Sequence, residues 1–167
     1  KILLWEVRGD CDNYNVLEGH KNAVLDLSWD SEGERLLSCS ADKTLALWDI
    51  LAGAKIKSFK GHEDVVNACA VTTKGSLLAA SASDDRTVRL WDPRQRRAVA
   101  TMDLPYQATS LAMSSAAEKL YCGSIDGIVR SFDPRKEEHL FELKGHQDIV
   151  TGLALNARGT HLLSNAC

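Results

Sequence analysis

The chain has 167 residues, 44% of them hydrophobic and 26% charged, with a formal net charge of −3 at pH 7. This is the balance of a globular chain long enough to bury a core, with no overall bias toward nucleic acid or an acidic membrane surface. It holds no apolar run of eighteen residues, the length a membrane-crossing helix requires.

Taken in order, the chain opens on Lys1 to Glu6, an apolar stretch around Trp5 that reads as the closing strand of a unit. Gly19-His20 then introduces a fuller pattern. Period-two alternation marks Val24 to Trp29 as an inner strand, and a turn at Ser31–Glu34 leads to a second strand, Arg35 to Ser40. Asp42-Lys43 makes the next turn and Thr44 to Asp49 a third strand. Lys55 to Phe59 is an outer strand whose charged residues are expected to alternate toward solvent, as on a protected edge. The order restarts at Gly61-His62, with strands expected at Val66–Val71, Leu77–Ala82, Thr87–Asp92 and Ala98–Met102. A third unit is degenerate: Asp103-Leu104 stands where Gly-His should precede Ala108–Met113. In it Phe132 replaces Trp and Asp126-Gly127-Ile128 replaces Asp-x-Thr. Gly145-His146 begins a fourth.

The intervals fix a period. His20 to His62 is 42 residues, Trp48 to Trp91 is 43, Trp5 to Trp48 is again 43, and His62 to His146 is 84, twice 42. A period in the low forties with Gly-His early and Trp-Asp late resembles the WD-repeat family. The resemblance implies an all-β fold, a β-propeller of four-stranded antiparallel blades. The expected division is 1–18 as the end of one blade and a linker, 19–59 and 60–102 as blades, 103–143 as a degenerate blade, and 144–167 as the start of another. A propeller closes with four to eight blades. About four are expected here, cut from a parent that family resemblance makes seven-bladed. Such a window alone is expected to fold poorly, because both end blades leave unpaired edges.

The same resemblance implies a buried hydrogen-bonded network in each full repeat. In the first it joins His20, Asp42, Trp48 and either Ser38 or Ser40. In the second it joins His62, Asp85, Trp91 and either Ser81 or Ser83. Asp126 and His146 are the remnants in the third and fourth units, and the third is expected to be the softest. A buried indole N–H needs an acceptor, and an imidazole can relay from hydroxyl to carboxylate. Ser, His and Asp together also suggest a hydrolase triad. Their recurrence in every repeat and the lack of a Gly-x-Ser-x-Gly elbow argue against it. No phosphate loop, His-Glu-x-x-His or ligand cluster is present, so the expectation is no enzyme, no cofactor, no metal and no small-molecule substrate. The five cysteines, Cys11, Cys39, Cys69, Cys122 and Cys167, lie too far apart for zinc pairs. Most read as small buried hydrophobes of a reducing compartment, cytosol or nucleus.

What remains is surface. Asp92–Arg97 and Asp133–Lys136 are equivalent turns of successive units and place Arg94, Arg96, Arg97, Arg135 and Lys136 on one face. Either these are a solvated rim, or they dock an acidic protein segment or RNA phosphate. Within the family, Trp5–Tyr14, Pro105-Tyr106-Gln107, Ile149–Leu153 and His161–Ala166 are most similar to the WD-repeat subunits of the U5 small nuclear ribonucleoprotein of the spliceosome. That implies a nuclear, non-catalytic scaffold in pre-mRNA splicing, docked on the large U5 scaffold protein beside other spliceosomal subunits. The alternative is a substrate receptor of a ubiquitin-ligase or chromatin complex. Lys21, Glu63 and Gln147, in the loops entering the inner strands, offer such a reader no aromatic cage.

Overall fold

The computed structural model describes residues 1–9 and 11–167; Asp10, within the Trp5–Tyr14 stretch, lies outside the described residues. Among the described residues sixteen strands follow in order. They are β1 (Ile2–Trp5), β2 (Asn13–Leu17), β3 (Val24–Trp29), β4 (Arg35–Ser40), β5 (Thr44–Asp49) and β6 (Ala54–Lys60). Next come β7 (Val66–Val71), β8 (Ala79–Ser83), β9 (Thr87–Trp91), β10 (Ala98–Asp103) and β11 (Ala108–Met113). The last are β12 (Leu120–Ser124), β13 (Ile128–Asp133), β14 (Glu138–Lys144), β15 (Val150–Leu155) and β16 (Leu162–Ala166).

Three antiparallel meanders of four strands result, β3-β4-β5-β6, β7-β8-β9-β10 and β11-β12-β13-β14, flanked by the pairs β1-β2 and β15-β16. The first strands β3, β7, β11 and β15 pack on one another in sequence and line a narrow channel of about 240 Å³. The all-β fold is therefore part of a WD propeller, with sheets set radially about that channel.

Packing between sheets explains the composition of the strands. A face-to-face stack buries both faces of the middle strands, and β4, β5 and β8 are correspondingly runs of buried residues. Leu37, Leu45, Leu47 and Phe59 of one sheet meet Val66, Cys69, Val71 and Trp91 of the next. Ala82, Val88, Leu90 and Met102 likewise meet Leu111, Leu120, Cys122 and Phe132. Each core lies between two repeats, so no repeat stands alone.

The strands β3, β7, β11 and β15 carry a register shift at the same place: Val24/Asp26, Val66/Ala68, Ala108/Ser110 and Val150/Gly152. The extra residue of each bulge is freed from the ladder to serve elsewhere. Asn67 Nδ2 donates to the Ala108 carbonyl at 2.8 Å, and the Thr109 hydroxyl donates to the Val150 carbonyl, each stitching one sheet to the next. Leu25 cannot do this; Asp26 instead accepts the Cys69 N–H at 2.9 Å.

Several strand ends differ by a residue from the sequence reading, and two departures have a visible cause. The second strand of the second sheet starts at Ala79 rather than Leu77, because Thr72 Oγ1 accepts the Leu78 N–H at 2.9 Å and donates to the Ser76 carbonyl at 2.8 Å, prolonging the turn. The outer strand β6 does not send its lysines simply to solvent. Lys55 Nζ donates to the Gly19 carbonyl at 2.9 Å and lies 5.3 Å from the centre of the Trp48 ring, while Ile56 is left exposed. Long aliphatic stems let these ammonium groups lie along apolar surface and still reach carbonyls.

Candidate functional site

The turn that carries the repeat's aspartate sets the geometry. Its next residue takes a left-handed conformation in all three sheets, at Lys43 (φ 70°), Arg86 (φ 65°) and Gly127 (φ 76°). Asp42 and Asp85 then close their own turns by accepting the backbone N–H and hydroxyl of Thr44 and Thr87. The second carboxylate oxygen of each is left to face the histidine. His20 Nδ1 lies 2.9 Å from Asp42 Oδ2, and His62 Nδ1 lies 2.7 Å from Asp85 Oδ2.

An ionised carboxylate can only accept, so Nδ1 carries the proton and Nε2 is the acceptor. The serine hydroxyl it faces is Ser38 at 2.7 Å in the first sheet and Ser81 at 2.7 Å in the second. The same hydroxyls receive the Trp48 and Trp91 indole N–H, each at 2.8 Å. The other two candidate serines, Ser40 and Ser83, act differently. They accept the N–H of Asp42 and Asp85 and so brace the turn. The relay runs indole, hydroxyl, imidazole, carboxylate, with every polar atom supplied.

Gly-His has a steric reason as well. A Cβ on Gly19 would lie 2.7 Å from Lys55 Nζ and 3.3 Å from Trp48 Cη2; one on Gly61 would lie 2.9 Å from an Arg89 guanidinium nitrogen and 3.1 Å from Trp91 Cη2. The indole therefore packs on the glycine while bonding through its nitrogen.

Burial pushes the Asp42 carboxyl up, but the bonds from Thr44, the Lys21 N–H and His20 outweigh it and hold it at about 2. Asp85 is lowered in the same way, against its own burial, by Thr87, His62 and the Glu63 N–H. Burial lowers His62 and favours the neutral ring, with Asp85 opposing. Ser38 and Ser81 are fully buried and already engaged by an indole, so neither offers a nucleophile to a substrate.

The third repeat exchanges the whole set. Counting from Asp126 as from Asp42, the histidine position is Leu104, the serine position Cys122 and the tryptophan position Phe132, all buried in one apolar cluster. Asp126 keeps a partner of another kind. Arg130, itself buried, reaches it at 2.6 Å, bonds the Ser124 hydroxyl at 3.1 Å and contacts Glu142 at 3.3 Å. Burial raises the Asp126 carboxyl, and Arg130 more than reverses this. From sequence this repeat is a network with missing parts; the structure shows an apolar replacement plus an ion pair. Sequence reasoning reads Cys122 among the small buried hydrophobes but does not assign it to the serine position, although its place four residues before the aspartate marks it. Burial pushes its thiol up to about 12, so it sits in the core as a neutral hydrophobe.

In the fourth unit His146 Nε2 lies 2.7 Å from Ser164 Oγ, with no indole beside it among the described residues. The basic turns divide. Arg94 is folded onto Asp92 at 2.8 Å, and Arg135 donates to the Ala116 carbonyl at 3.2 Å. Arg96, Arg97 and Lys136 are exposed and form no ion pair among the described residues. Lys57, which the sequence pattern does not single out, crosses from the neighbouring sheet to donate to the Pro93 and Gln95 carbonyls and braces the turn that presents Arg96 and Arg97.

The sequence profile of the WD domain, G-beta repeat family matches residues 11–49, 53–92 and 137–167, and it passes over the altered third repeat. The chain belongs to the WD-repeat family. It is 41% identical over 151 residues to pre-mRNA-splicing factor cwf17 of Schizosaccharomyces pombe, across 90% of this chain and 44% of that protein. To the U5 small nuclear ribonucleoprotein 40 kDa protein of Homo sapiens it is 42% identical over 160 residues, 96% of this chain and 45% of that protein. To that of Dictyostelium discoideum it is 38% identical over 148 residues, 88% and 42% respectively. The chain thus spans somewhat under half the length of these relatives.

The relay makes stability depend on its members and on pH. Trp48→Ala removes a buried aromatic and leaves the Ser38 hydroxyl without its indole donor, and should cost about 3–5 kcal/mol. Phe132→Ala removes no hydrogen bond and should cost less; denaturant midpoints of the two variants compare them directly. Acid should weaken the fold in two windows. Because folding lowers His62, the unfolded chain takes up a proton first as pH falls below about 6.5, and stability is lost there. The lowered Asp42 adds a further loss between about pH 4 and 2. Thermal midpoints measured from pH 7 to 5 should fall more steeply for wild type than for His62→Gln.

Proposed function

We propose that this chain is a non-catalytic interaction scaffold of the U5 small nuclear ribonucleoprotein, acting in pre-mRNA splicing in the nucleus. The observation that carries the reading is the likeness to splicing factor cwf17 and the U5 40 kDa proteins, in register across most of the chain. The physics of the site agrees: the relay side chains of the first two full repeats are sealed inside the sheets, which leaves rims and turns as the surfaces that meet other molecules. On this reading the partners are proteins of the complex, with the large U5 scaffold protein foremost.

On the same reading the docking surface is Arg96, Arg97 and Lys136. They are exposed cations that form no ion pair among the described residues, Arg96 and Arg97 on a turn braced by Lys57, in a chain with net negative charge, a pattern suited to an acidic segment. RNA phosphate at the rim is the second ligand with the right charge. Aromatic residues make up 6% of the chain, too few for a base-stacking platform.

Exchanging Arg96 and Arg97 for Glu should leave the fold intact, since both side chains are exposed. Incorporation into the ribonucleoprotein should fall, and wild-type affinity should weaken as salt rises. Co-purification of U5 RNA and its proteins from nuclear extract, with surface plasmon resonance at two ionic strengths, reads both. Recovery of cullin adaptors or histones in place of U5 components would refute the splicing assignment, and binding that ignores both salt and the charge reversal would refute the docking surface.

A further inference from the structure

Antiparallel meanders send alternate turns to opposite ends of their sheets, and the basic turns at Arg96, Arg97 and Lys136 all lie at one end. At the other end, each loop entering a first strand lies beside the turn between the second and third strands, and one backbone bond joins them. Ala41, Asp84 and Ile125 donate their N–H to the carbonyls of Ala23, Val65 and Gln107, at 2.9, 2.9 and 3.2 Å. That shared bond lets positions on this face be compared from sheet to sheet.

The third sheet departs from the others at four of them. In the first, second and fourth units the entering loop carries Asn22, Asp64 or Asp148, whose side-chain oxygen accepts the next residue's N–H at 2.8, 2.9 and 2.7 Å. Such a side chain is engaged by its own backbone. Tyr106 takes that place in the third unit, cannot close the loop in this way, and stands 48% exposed. Before it Pro105 replaces Lys21 and Glu63. Across the joining bond, Ile125 holds the position of Ala41 and Asp84 and is 39% exposed. Gly127 stands where Lys43 and Arg86 do, and a Cβ there would lie 2.9 Å from the His146 carbonyl oxygen. Both apolar residues belong to a sheet with neighbours on each side, since β7 and β15 pack on β11. The core uses neither of them; Leu104 and Ser124 beside them are the buried residues. An aromatic and an aliphatic side chain held out to water together mark a surface that another molecule covers.

Carboxylates stand on both sides of this pair. Asn67 Nδ2 donates to Asp84 Oδ1 at 2.6 Å and to the Ala108 carbonyl at 2.8 Å, which holds the Asp84 carboxylate beside the strand that Tyr106 leads into. On the other side Asp148 is exposed, with its backbone carbonyl against Gly127. Glu63 and Asp64 add negative charge on the Asp84 side, against Arg86 and a Lys43 ammonium held on the Glu63 carbonyl at 2.6 Å. The charge here is thus opposite to that of the basic turns at the far end of the sheets.

We infer that this end of the third sheet docks a second protein partner, through a segment that sets a large apolar side chain against Tyr106 and Ile125 and a Lys or Arg against Asp84 or Asp148. Charge decides the class of occupant. The acidic segment proposed for Arg96, Arg97 and Lys136 would be repelled here, and a phosphate backbone would meet carboxylates in place of cations. The two ends of the sheets can therefore hold two partners of opposite charge at once, without competition between them.

Photocrosslinking from the surface itself tests this. The protein with p-benzoylphenylalanine in place of Tyr106, irradiated in nuclear extract, should join to a protein segment in which Lys or Arg flanks an apolar residue, as read by mass spectrometry of the joined peptide. A synthetic peptide of that sequence, followed by fluorescence anisotropy, should bind about tenfold or more weakly to Tyr106→Ser combined with Ile125→Ser. Both side chains are exposed, so circular dichroism should be unchanged, and Tyr106→Phe should retain binding. Asp84→Asn, which can keep the Asn67 bond, should weaken binding less and flatten its dependence on salt. Arg96→Glu with Arg97→Glu should leave it as it is. A basic segment from a protein outside the U5 particle would support this surface while refuting the splicing assignment. No cross-link, a cross-link to an acidic segment, to RNA or to a second copy of this chain, or an affinity indifferent to Tyr106 and Ile125 would each overturn the inference.

Discussion

One hydrogen bond organises each intact repeat: the indole N–H of a buried tryptophan donating to a buried serine hydroxyl, at 2.8 Å in both the first and the second sheet. A tryptophan at the centre of a sheet stack contributes a large apolar area, but only if its nitrogen finds an acceptor. The serine supplies it, and its hydroxyl donates in turn to a histidine whose other nitrogen is held by the turn aspartate. The third strand is thereby tied to the second, to the loop before the first, and to the turn between. Glycine before the histidine follows from the indole lying on that backbone.

The third repeat shows that the constraint operates on the set. Histidine, serine and tryptophan are all gone, and Leu104, Cys122 and Phe132 fill their places in one apolar cluster. Losing one member would strand the others' polar atoms, whereas replacing partners together with apolar groups can be nearly neutral. Asp126 is retained because the turn still needs it, and Arg130 supplies the charge that histidine no longer does. A buried pair of this kind is costly to break on one side only.

Much of this is legible in the sequence. The period locates the strands to within a residue or two, and the positions of His20, Asp42 and Trp48 point to one network. Which serine joins it is not legible, since Ser38 and Ser40 both lie on β4 and only the hydrogen bonds separate their roles. Lys57 is invisible for another reason: it reads as an outward-facing charge until the neighbouring sheet places the Pro93 and Gln95 carbonyls beside it. Alternation in β3 marks the strand but not how far each face is covered: Leu25 and Leu27 are half exposed, because burial there depends on what packs against the sheet and not on the strand's own pattern.

The central claim is that the serine hydroxyl holds the indole in place, and exchange of the indole protons with solvent deuterium, followed by nitrogen-edited NMR, tests it most directly. The Trp48 and Trp91 indole protons should exchange only on opening of their sheets, far more slowly than that of the half-exposed Trp29. In Ser38→Ala the Trp48 proton should exchange faster while that of Trp91 stays slow. Rapid exchange of Trp48 or Trp91 in the unaltered chain, or a Trp48 rate indifferent to the loss of Ser38, would contradict the account.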